Sequence, residues 1–461
     1  MRYRLIILTL LSLLAVPAAA QASPRQVMSF EAPAELLDYS RVNVTLDEIK
    51  GFGVTNVRQL VYWQTFAPRP NSKKKPKINL ADPNAYPRGT WSRLDLLMQQ
   101  AARRGINVML TPTGPVPKWA TAGKKGHLRK PSPKLYGQFV TALARRYGTQ
   151  VTMWSIWNEP NQPQFLMPQY RKGKPYSPTQ YRKLYQAAYK GIRSVAANRK
   201  DKILIGETSP RGNEHIVFPL RFLRGIACLN NSYKKSGKCS RLKADGYAHH
   251  AYTTRSGPRW VPPDKDDVTI AVISRLVKAL DRAGRAGTLP KGLKIYLTEF
   301  GIQSFPDKIS GVSLARQPAY YAIAEKIAYV NSRVALISQY LMRDDAPRSS
   351  GYRYRGFESG LRRNDGRKKP AYNAFYSPLA VERARNHDVL WGRIRTRAER
   401  QQVTIEVRRK GKKKYSKLRT VTTSTRGVFG LTATHRKGTS YRVRWTSSTG
   451  RTRVGPGIKA Y

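Results

Sequence analysis

The chain alternates short apolar runs with amphipathic segments over most of its length. Runs such as KILIGET (202–208) are apolar almost throughout, which is typical of buried parallel strands. Segments between them, such as WSRLDLLMQQAARRG (91–105), place apolar residues at helical spacing and end at a glycine. The eight predicted strands are 27–32, 55–63, 106–113, 151–158, 202–208, 244–252, 294–300 and 334–342.

This order of elements predicts a parallel sheet covered by helices. Roughly 350 residues with long loops fit a closed (β/α)₈ barrel, a TIM barrel, better than an open doubly wound sheet. The open sheet is the alternative. Its nucleotide-binding version is disfavoured because no glycine-rich phosphate loop follows the first strand.

The pattern changes after about residue 385. The last part of the chain alternates polar and apolar residues with a period of two, is rich in Thr and Val, and has turn glycines. This pattern predicts a small, sandwich-like all-β domain over 385–461, following the barrel over 27–380. The β domain contains no carboxylate cluster suited to catalysis.

The first 22 residues have the pattern of a secretory signal peptide. A basic start precedes an apolar run over 5–16 and small residues over 18–22, so cleavage is predicted after Ala20 or Ala22. An uncleaved membrane anchor is the alternative, but the apolar run is short for crossing a bilayer. The pattern therefore predicts a secreted, extracellular protein without a transmembrane segment, which leaves attachment to the cell envelope open.

The chain has two cysteines, Cys228 and Cys239, close together in the sequence. In an exported protein such a pair is predicted to form one disulfide that closes a loop. A metal site is not expected there, because no histidine or further cysteine lies nearby at ligand spacing. We expect no cofactor.

The composition is strongly basic, with 85 Lys and Arg against 27 Asp and Glu and a formal net charge of +58. Such a field attracts polyanions, so electrostatic association with an anionic polymer of the cell envelope is one expectation. A basic surface that reflects the composition of a whole proteome is the alternative. No compact nucleic-acid motif with stacking aromatics is present, and no specific nucleic-acid partner is expected.

In a barrel of this type, the active site lies at the carboxyl ends of the strands. Glu159 closes the fourth predicted strand and Glu299 the seventh, on opposite sides of the barrel, so we expect their side chains to converge although 140 positions separate them. The other polar or aromatic residues at or just beyond strand ends are Arg58, Trp63, Asn158, Glu207, His249, His250, Tyr252, Gln339, Tyr340, Asp344 and Asp345.

A convergent carboxyl pair is what glycoside hydrolysis requires. One carboxylic acid protonates the leaving oxygen while the other carboxylate attacks the anomeric carbon. A separation of about 5–5.5 Å between the groups means retention of configuration, and a wider gap means inversion. We expect Arg58 to hold the nucleophile ionised, Tyr252 to donate a hydrogen bond to it, and Asn158 to bind a sugar hydroxyl.

Aromatic side chains are the expected stacking surfaces for sugar rings. Trp63 is the candidate nearest a strand end, and further candidates are Trp154, Trp157 and Trp260. A buried tryptophan that belongs to the core is the alternative for each of them.

The motifs WNEPN (157–161), HAY (250–252) and TEFG (298–301) resemble those of clan A glycoside hydrolases, the cellulase- and xylosidase-like retaining (β/α)₈ enzymes. The resemblance covers 27–380, and FESGLRRNDGRKKPAYNAF (357–375) is similar to the closing segment of such barrels. It implies that Glu159 is the acid/base and Glu299 the nucleophile. The residues that it implies in support are Asn158, Arg58, His250 and Tyr252.

The eighth strand departs from the family pattern. Many members place a tryptophan beneath the sugar there, whereas this chain has Gln339 and Tyr340, and Gln339 is included among the expected substrate-binding residues. On the sixth strand, alternation of side chains predicts that His250 points into the barrel and His249 away from it. No metal is expected at this pair, because adjacent strand residues cannot both ligate one ion. Glu207 is expected to be structural or to line the substrate site.

The resulting hypothesis is a secreted retaining β-glycosidase acting on a carbohydrate substrate. A non-catalytic protein that binds cell-wall or anionic polysaccharide on a barrel scaffold is one alternative, and a transglycosylase is another.

Overall fold

The computed structural model describes residues 26–460 apart from Lys238, Arg355, Arg397, Ala398 and Ser448, so the predicted signal peptide (1–22) lies outside the described residues. Within the described part, eight parallel strands close into a barrel, which confirms the predicted fold class. The strands are Val27–Glu31, Asn56–Tyr62, Asn107–Thr113, Val151–Ser155, Lys202–Thr208, Gly246–His250, Ile295–Glu299 and Val334–Tyr340. The first strand pairs with both the second and the eighth, which closes the sheet.

Helices surround the barrel. Their starts follow local sequence signals: the Ser132 hydroxyl accepts a hydrogen bond from the Leu135 N–H, and Pro133 occupies the first helical position. The helices of the barrel region are Pro33–Leu36, Val42–Gly51, Trp63–Phe66, Ser92–Arg103, Pro133–Tyr147, Ser177–Arg193, Pro219–Ile226, Ile273–Arg285, Arg316–Tyr329 and Pro370–Tyr376.

Alternate residues of the strands face opposite sides of the sheet. Ile203 and Ile205 belong to the large core between strands and helices, whereas Leu204 belongs to a smaller cluster that fills the inside of the barrel. The other buried residues of this inner cluster are Met109, Ala248, Tyr296 and Leu336. The site described below lies at the carboxyl ends of these strands.

The C-terminal part of the chain forms antiparallel sheets, as expected. One sheet contains Leu379–Arg383, His387–Arg393 and Val428–Thr434. The other contains Gln402–Arg408, Ser416–Thr422, Ser440–Thr446, Thr452–Val454 and Ile458–Lys459. The first strand lies before the predicted start at residue 385, because apolar Leu379 and Val381 pack into the core of the β domain.

The β domain is attached to the barrel through the helix Arg316–Tyr329. Ala319 of this helix packs in the core of the β domain, and its buried Glu325 forms an ion pair with the buried Arg395. Because breaking a buried ion pair leaves an uncompensated charge, this contact fixes the domain to the barrel.

Cys228 and Cys239 form the predicted disulfide, which closes a short loop after the helix Pro219–Ile226. Among the described residues, no helix has both the length and the apolar character needed to cross a membrane.

Candidate active site

Glu159 and Glu299 converge at the mouth of the barrel. One carboxylate oxygen of Glu159 lies within 4.8 Å of one carboxylate oxygen of Glu299. The side chain of Glu159 is 15% exposed and that of Glu299 is 7% exposed. Glu299 is the last residue of the seventh strand. Glu159 follows the fourth strand in a turn where Trp157 and Glu159 have φ of 71° and 37°, conformations that are costly for residues other than glycine. This turn ends the strand and aims the Glu159 carboxyl across the mouth.

The motif around Glu299 requires a glycine for steric reasons. A Cβ at Gly301 would collide with the carbonyl oxygen of Tyr340 and lie 2.7 Å from the Ser359 Cβ. The chain after the seventh strand therefore passes directly against the end of the eighth strand. This close approach places Glu299 and Tyr340 on the same wall of the cleft.

Arg58 is the fully buried cation at the centre of the site. Its guanidinium donates hydrogen bonds to carboxylates, an amide and a hydroxyl, so its charge is shared among several acids. The partner atoms are Glu31 Oε2 (2.6 Å), Glu299 Oε1 (2.7 Å), Asn158 Oδ1 (2.6 Å), Glu207 Oε2 (2.9 Å) and Thr111 Oγ1 (3.1 Å).

His250 lies between the candidate acid and a buried carboxylate. Its Nδ1 is 3.0 Å from Glu159 Oε1 and 3.3 Å from Glu299 Oε2, and its Nε2 is 2.6 Å from Glu207 Oε2. Burial opposes the charged form, but the charge of Glu299 and the hydrogen bonds to Glu159 and Glu207 raise the pKa of His250 to about 10. At neutral pH the ring is therefore an imidazolium that donates both N–H groups.

The buried carboxyl groups have divergent pKa values. Burial raises the pKa of Glu159, against the opposing effect of His250, and burial raises the pKa of Glu31 to about 8. Burial acts in the same direction on Glu207, but Arg58 and His250 outweigh it and lower the pKa of that group below its usual value. The raised pKa favours the protonated form of Glu159, and the lowered pKa favours the ionised form of Glu207.

Tyr252 positions the second carboxylate. Its hydroxyl donates a 3.2 Å hydrogen bond to Glu299 Oε2, and its ring stacks on Phe300 with 6.2 Å between centroids. Burial and the charge of Glu299 raise the pKa of Tyr252 well above its usual value, so the hydroxyl stays protonated and acts as a donor. The ring of Tyr340 lies edge-on to that of Tyr252.

A cleft of about 620 Å³ opens above these residues, a volume that suits a small ligand such as one or two sugar rings. Its walls combine tyrosine rings with amide, carboxylate and guanidinium groups. The aromatic and polar lining residues are Tyr62, Asn158, Glu159, Gln162, Gln164, Phe165, Tyr252, Thr253, Glu299, Gln303, Asp307, Ser310, Tyr340, Asp345, Arg348, Tyr352, Tyr354 and Phe357.

The prediction of a sugar contact for Trp63 is wrong. Trp63 begins the short helix Trp63–Phe66, and its fully buried ring packs against Phe139 and Trp119, with centroids 5.5 and 5.7 Å away. The chain turns into this helix directly after the second strand, so Tyr62 lines the cleft instead. Trp154 and Trp157 are also fully buried in the core.

The prediction of a substrate contact for Gln339 is also wrong. Its side chain is 1% exposed and donates hydrogen bonds to the carbonyl oxygens of Leu341 (3.1 Å) and Ser359 (3.0 Å). It therefore faces away from the cleft and holds the closing segment of the barrel. Tyr340, the next residue, lines the cleft, as expected from alternation along a strand.

Glu31 was not among the predicted site residues, although it contacts Arg58. It closes the first strand in the same way as Glu299 closes the seventh, and that position was the available signal. His249 faces away from the site, where its ring contacts the Thr208 hydroxyl (2.9 Å) and the Val268 carbonyl (2.8 Å). Asp344 is buried and pairs with Lys369, whereas Asp345 lines the cleft.

Glu159, His250 and Glu299 are spaced closely enough to ligate one cation. Because both ring nitrogens of His250 face carboxylate oxygens, its chemistry fits a proton-sharing network better than a metal centre.

Comparisons with known proteins were made by family model, by sequence and by structure. No family model and no curated protein matches the chain. Solved structures match in fold: a GH39 β-xylosidase from Caulobacter crescentus has 16% identity, covers 84% of each chain and has a TM-score of 0.51. The GH39 enzyme from Xanthomonas axonopodis pv. citri has 15% identity, covers 92% of this chain and 94% of its own, and also scores 0.51.

A third similar structure is GH5_18 from Streptomyces cattleya in complex with GlcNAc. It has 14% identity, covers 77% of this chain and 79% of its own, and has a TM-score of 0.53. At these identities, the similarity establishes a shared barrel fold.

Proposed function

We propose that this protein is a retaining β-glycoside hydrolase of the clan A type. It cleaves O-glycosidic bonds of an oligo- or polysaccharide through a covalent glycosyl-enzyme. The observation that carries the proposal is the convergence of Glu159 and Glu299, with oxygens within 4.8 Å, at the carboxyl end of the barrel. Retaining enzymes hold their carboxyl groups about 5–5.5 Å apart, whereas inverting enzymes need about 6.5–9.5 Å to admit a water molecule.

In the first step, Glu299 attacks the anomeric carbon and Glu159 gives its proton to the glycosidic oxygen. The bond from carbon to the leaving oxygen breaks as the bond to the Glu299 carboxylate forms. The guanidinium of Arg58 and the hydroxyl of Tyr252 each contact one oxygen of Glu299, which fixes the orientation of the carboxylate. Burial raises the pKa of Glu159 and so favours the protonated form that this step requires.

In the second step, water attacks the same carbon and Glu159 removes a proton from it. The carboxylate of Glu299 is released, and the sugar leaves with its original configuration. His250 stabilises the ionised form of Glu159 that exists between the two steps, because its Nδ1–H points at that carboxylate. The carboxylate of Glu207 in turn fixes the orientation of the His250 ring by accepting a hydrogen bond from its Nε2–H.

Asn158 supplies a contact beside the reacting carbon. Its Oδ1 accepts a hydrogen bond from Arg58, which orients the amide and turns its N–H groups toward the cleft that Asn158 lines. We assign these N–H groups to a sugar hydroxyl. An amide held in this way donates without reorganising when charge develops on the sugar.

We further propose that the protein is exported. The basic and apolar pattern of the first 22 residues and the disulfide between Cys228 and Cys239 both support an oxidising, extracytoplasmic location. The net charge of +58 supports a non-catalytic association with an anionic envelope polymer. The β domain adds to this basic surface.

Turnover of aryl β-glycosides tests the proposal. Wild type, Glu299→Ala and Glu159→Ala are compared on 4-nitrophenyl β-xyloside, β-glucoside, β-mannoside and β-galactoside. Asp47→Ala serves as the control, because it removes a 63%-exposed carboxylate on the outer helix Val42–Gly51. We expect hydrolysis of at least one substrate by wild type and control and its loss in Glu299→Ala. Equal turnover by Glu299→Ala and wild type would overturn the proposal.

A further inference from the structure

A second cleft, of about 840 Å³, continues from the catalytic cleft. The two clefts share Gln162 and Pro210, which lie in the loops after the fourth and fifth strands. The backbone N–H of Gln162 donates a 2.8 Å hydrogen bond to the carbonyl oxygen of Glu159. The second cleft therefore begins on the side of the candidate acid/base, not on the side of Glu299.

The lining of the second cleft combines an indole with planar polar groups. Trp260 is half-buried, and the exposed guanidinium of Arg211 lies 5.6 Å from the centre of its ring. Carboxylate and amide side chains surround them, namely Gln162, Asn213, Asp264 and Asp267. A pyranose ring presents C–H groups on one face and hydroxyls at its rim, so it needs an aromatic surface with polar groups around it.

The loops that carry these residues are tied together. The Gly212 N–H donates a 3.0 Å hydrogen bond to Asp267 Oδ1, and the Val268 N–H donates a 2.8 Å hydrogen bond to the Pro210 carbonyl. These contacts join the loop after the fifth strand to the loop after the sixth. A cleft held in this way needs little ordering when it takes a ligand.

We propose that Trp260 and Arg211 form a subsite for the leaving-group portion of an extended glycan chain. This inference rests on the proposed function, because the role of Glu159 as the acid identifies the side of the glycosidic bond that the second cleft serves. The acid protonates the glycosidic oxygen, so the sugars beyond that oxygen leave past Glu159 and Gln162 into the second cleft. The natural substrate is accordingly a chain of several sugar units whose leaving portion stacks on Trp260.

Chain-length dependence tests this subsite. The kcat/KM of wild type and Trp260→Ala is measured on β-1,4-linked xylo-, gluco- and manno-oligosaccharides of two to six units and on the matching 4-nitrophenyl glycosides. We expect the loss in Trp260→Ala to grow with chain length, reaching about tenfold on the longest substrate that is cleaved and staying within about twofold on the aryl glycoside. A loss that is the same at every length would overturn the inference and leave the proposed function standing.

Tyr39→Ala is the matched control. Tyr39 is 56% exposed and carries the guanidinium of Arg93 5.5 Å from its ring centre, but it lies outside both clefts. The substitution Tyr39→Ala therefore removes an aromatic ring that contacts an arginine, as Trp260→Ala does, but outside the clefts. We expect the length dependence of this control to equal that of wild type.

Binding separates failure of the subsite from failure of the proposed function. Calorimetric titration of Glu299→Gln with xylohexaose, cellohexaose and mannohexaose is repeated with Trp260→Ala added. We expect Trp260→Ala to lower the affinity for the hexasaccharide about tenfold. If wild type hydrolyses no glycoside but hexasaccharide binding requires Trp260, the catalytic proposal fails and the glycan site stands. Equal hexasaccharide affinity with and without Trp260, or binding of no hexasaccharide, would overturn the subsite.

Discussion

The guanidinium of Arg58 donates a 2.7 Å hydrogen bond to the carboxylate of Glu299, although 241 positions separate the two residues. The same guanidinium contacts Glu31 and Glu207, so one buried cation holds three carboxyl groups at the mouth of the barrel. Arg58 lies on the second strand of the barrel, and its three carboxyl partners lie on the first, fifth and seventh strands. Arg58 therefore serves both the stability of the barrel mouth and the orientation of the proposed nucleophile.

Removing Arg58 is expected to destabilise the protein strongly. Arg58→Ala leaves buried carboxyl groups without their cation, and loss of one partner of a buried ion pair costs about 3–5 kcal/mol. Urea unfolding followed by tryptophan fluorescence measures the effect. Asp47→Asn is the control, because it breaks the more exposed pair with Arg104 and should cost no more than about 1 kcal/mol. Equal unfolding midpoints for the two variants would contradict the assigned role.

Stability should decline toward alkaline pH because of His250. Its pKa in the folded state is raised to about 10 from an ordinary value of 6.5, so folding favours its protonated form. The contribution is fully present below about pH 6.5 and is lost as the pH rises to about 10, with a limiting slope of about 1.4 kcal/mol per pH unit. Glu31, with a pKa raised to about 8, acts in the same direction between about pH 4.5 and 8.

The test compares the urea midpoints of wild type and His250→Gln from pH 6 to pH 10. Wild type should lose stability over this range, and His250→Gln should show a shallower decline. A decline that is identical in the two proteins would show that His250 is not protonated in the folded state.

The pH profile of activity should report on the contact between His250 and Glu159. The alkaline limb of kcat/KM follows loss of the proton from Glu159 in the free enzyme. His250 lowers the pKa of Glu159 against the larger effect of burial, so His250→Ala is expected to move the alkaline limb to higher pH. An unchanged limb together with lower activity would indicate a role for His250 in substrate binding alone.

Glu159→Ala should discriminate among leaving groups. Protonation is essential for a sugar alcohol to leave but nearly dispensable for dinitrophenolate, whose conjugate acid is strong. We expect kcat/KM to fall about 10²–10⁴-fold on an oligosaccharide and far less on a 2,4-dinitrophenyl glycoside. Equal losses on both substrates would contradict the assignment of Glu159 as the acid.

Association with an anionic polymer should depend on salt and not on the catalytic pair. Pull-down with an insoluble anionic polysaccharide should decrease steeply between about 50 mM and about 500 mM salt, since screening weakens contacts between exposed charges. The double variant Glu159→Gln with Glu299→Gln should bind equally well. Binding that resists high salt and requires both glutamates would instead reflect occupation of the active site.

The barrel and its carboxyl pair could be predicted because the sequence signals were local. An apolar run that ends in a polar residue marks the end of a buried strand, and the closed topology then brings Glu159 and Glu299 together. Glu31 obeys the same rule as Glu299. The carboxyl end of the first strand therefore belongs to the site together with the ends of the fourth and seventh strands.

The inward direction of the Glu207 side chain could not be predicted from alternation along the strand. Leu204 faces the inside of the barrel, so strict alternation places Glu207 outside. Instead, positive φ at Gly206 (115°) and Glu207 (52°) interrupts the ladder and turns the carboxylate inward to Arg58. A Cβ at Gly206 would lie 2.6 Å from the Ala248 carbonyl oxygen, so this irregularity depends on a contact with the next strand.

The orientation of Trp63 was not predictable from the strand pattern, because Trp63 follows the last residue of the second strand and its side-chain direction is set by the helix that begins there. Gln339 is different, because it lies within the eighth strand, where alternation from the inward-facing Leu336 turns its side chain away from the barrel interior. A helix begins at Trp63, and the closing segment around Ser359 takes the amide of Gln339. The cleft is therefore lined by their neighbours Tyr62 and Tyr340.

The configuration of the first sugar released tests the central claim most directly. Hydrolysis of a 4-nitrophenyl β-glycoside that the enzyme accepts is followed by proton NMR, which resolves the two anomers before they equilibrate. The approach of the Glu159 and Glu299 carboxylate oxygens to within 4.8 Å predicts that the β-anomer appears first and that the α-anomer follows by mutarotation. Initial release of the α-anomer would mean inversion through a single displacement and would contradict the account.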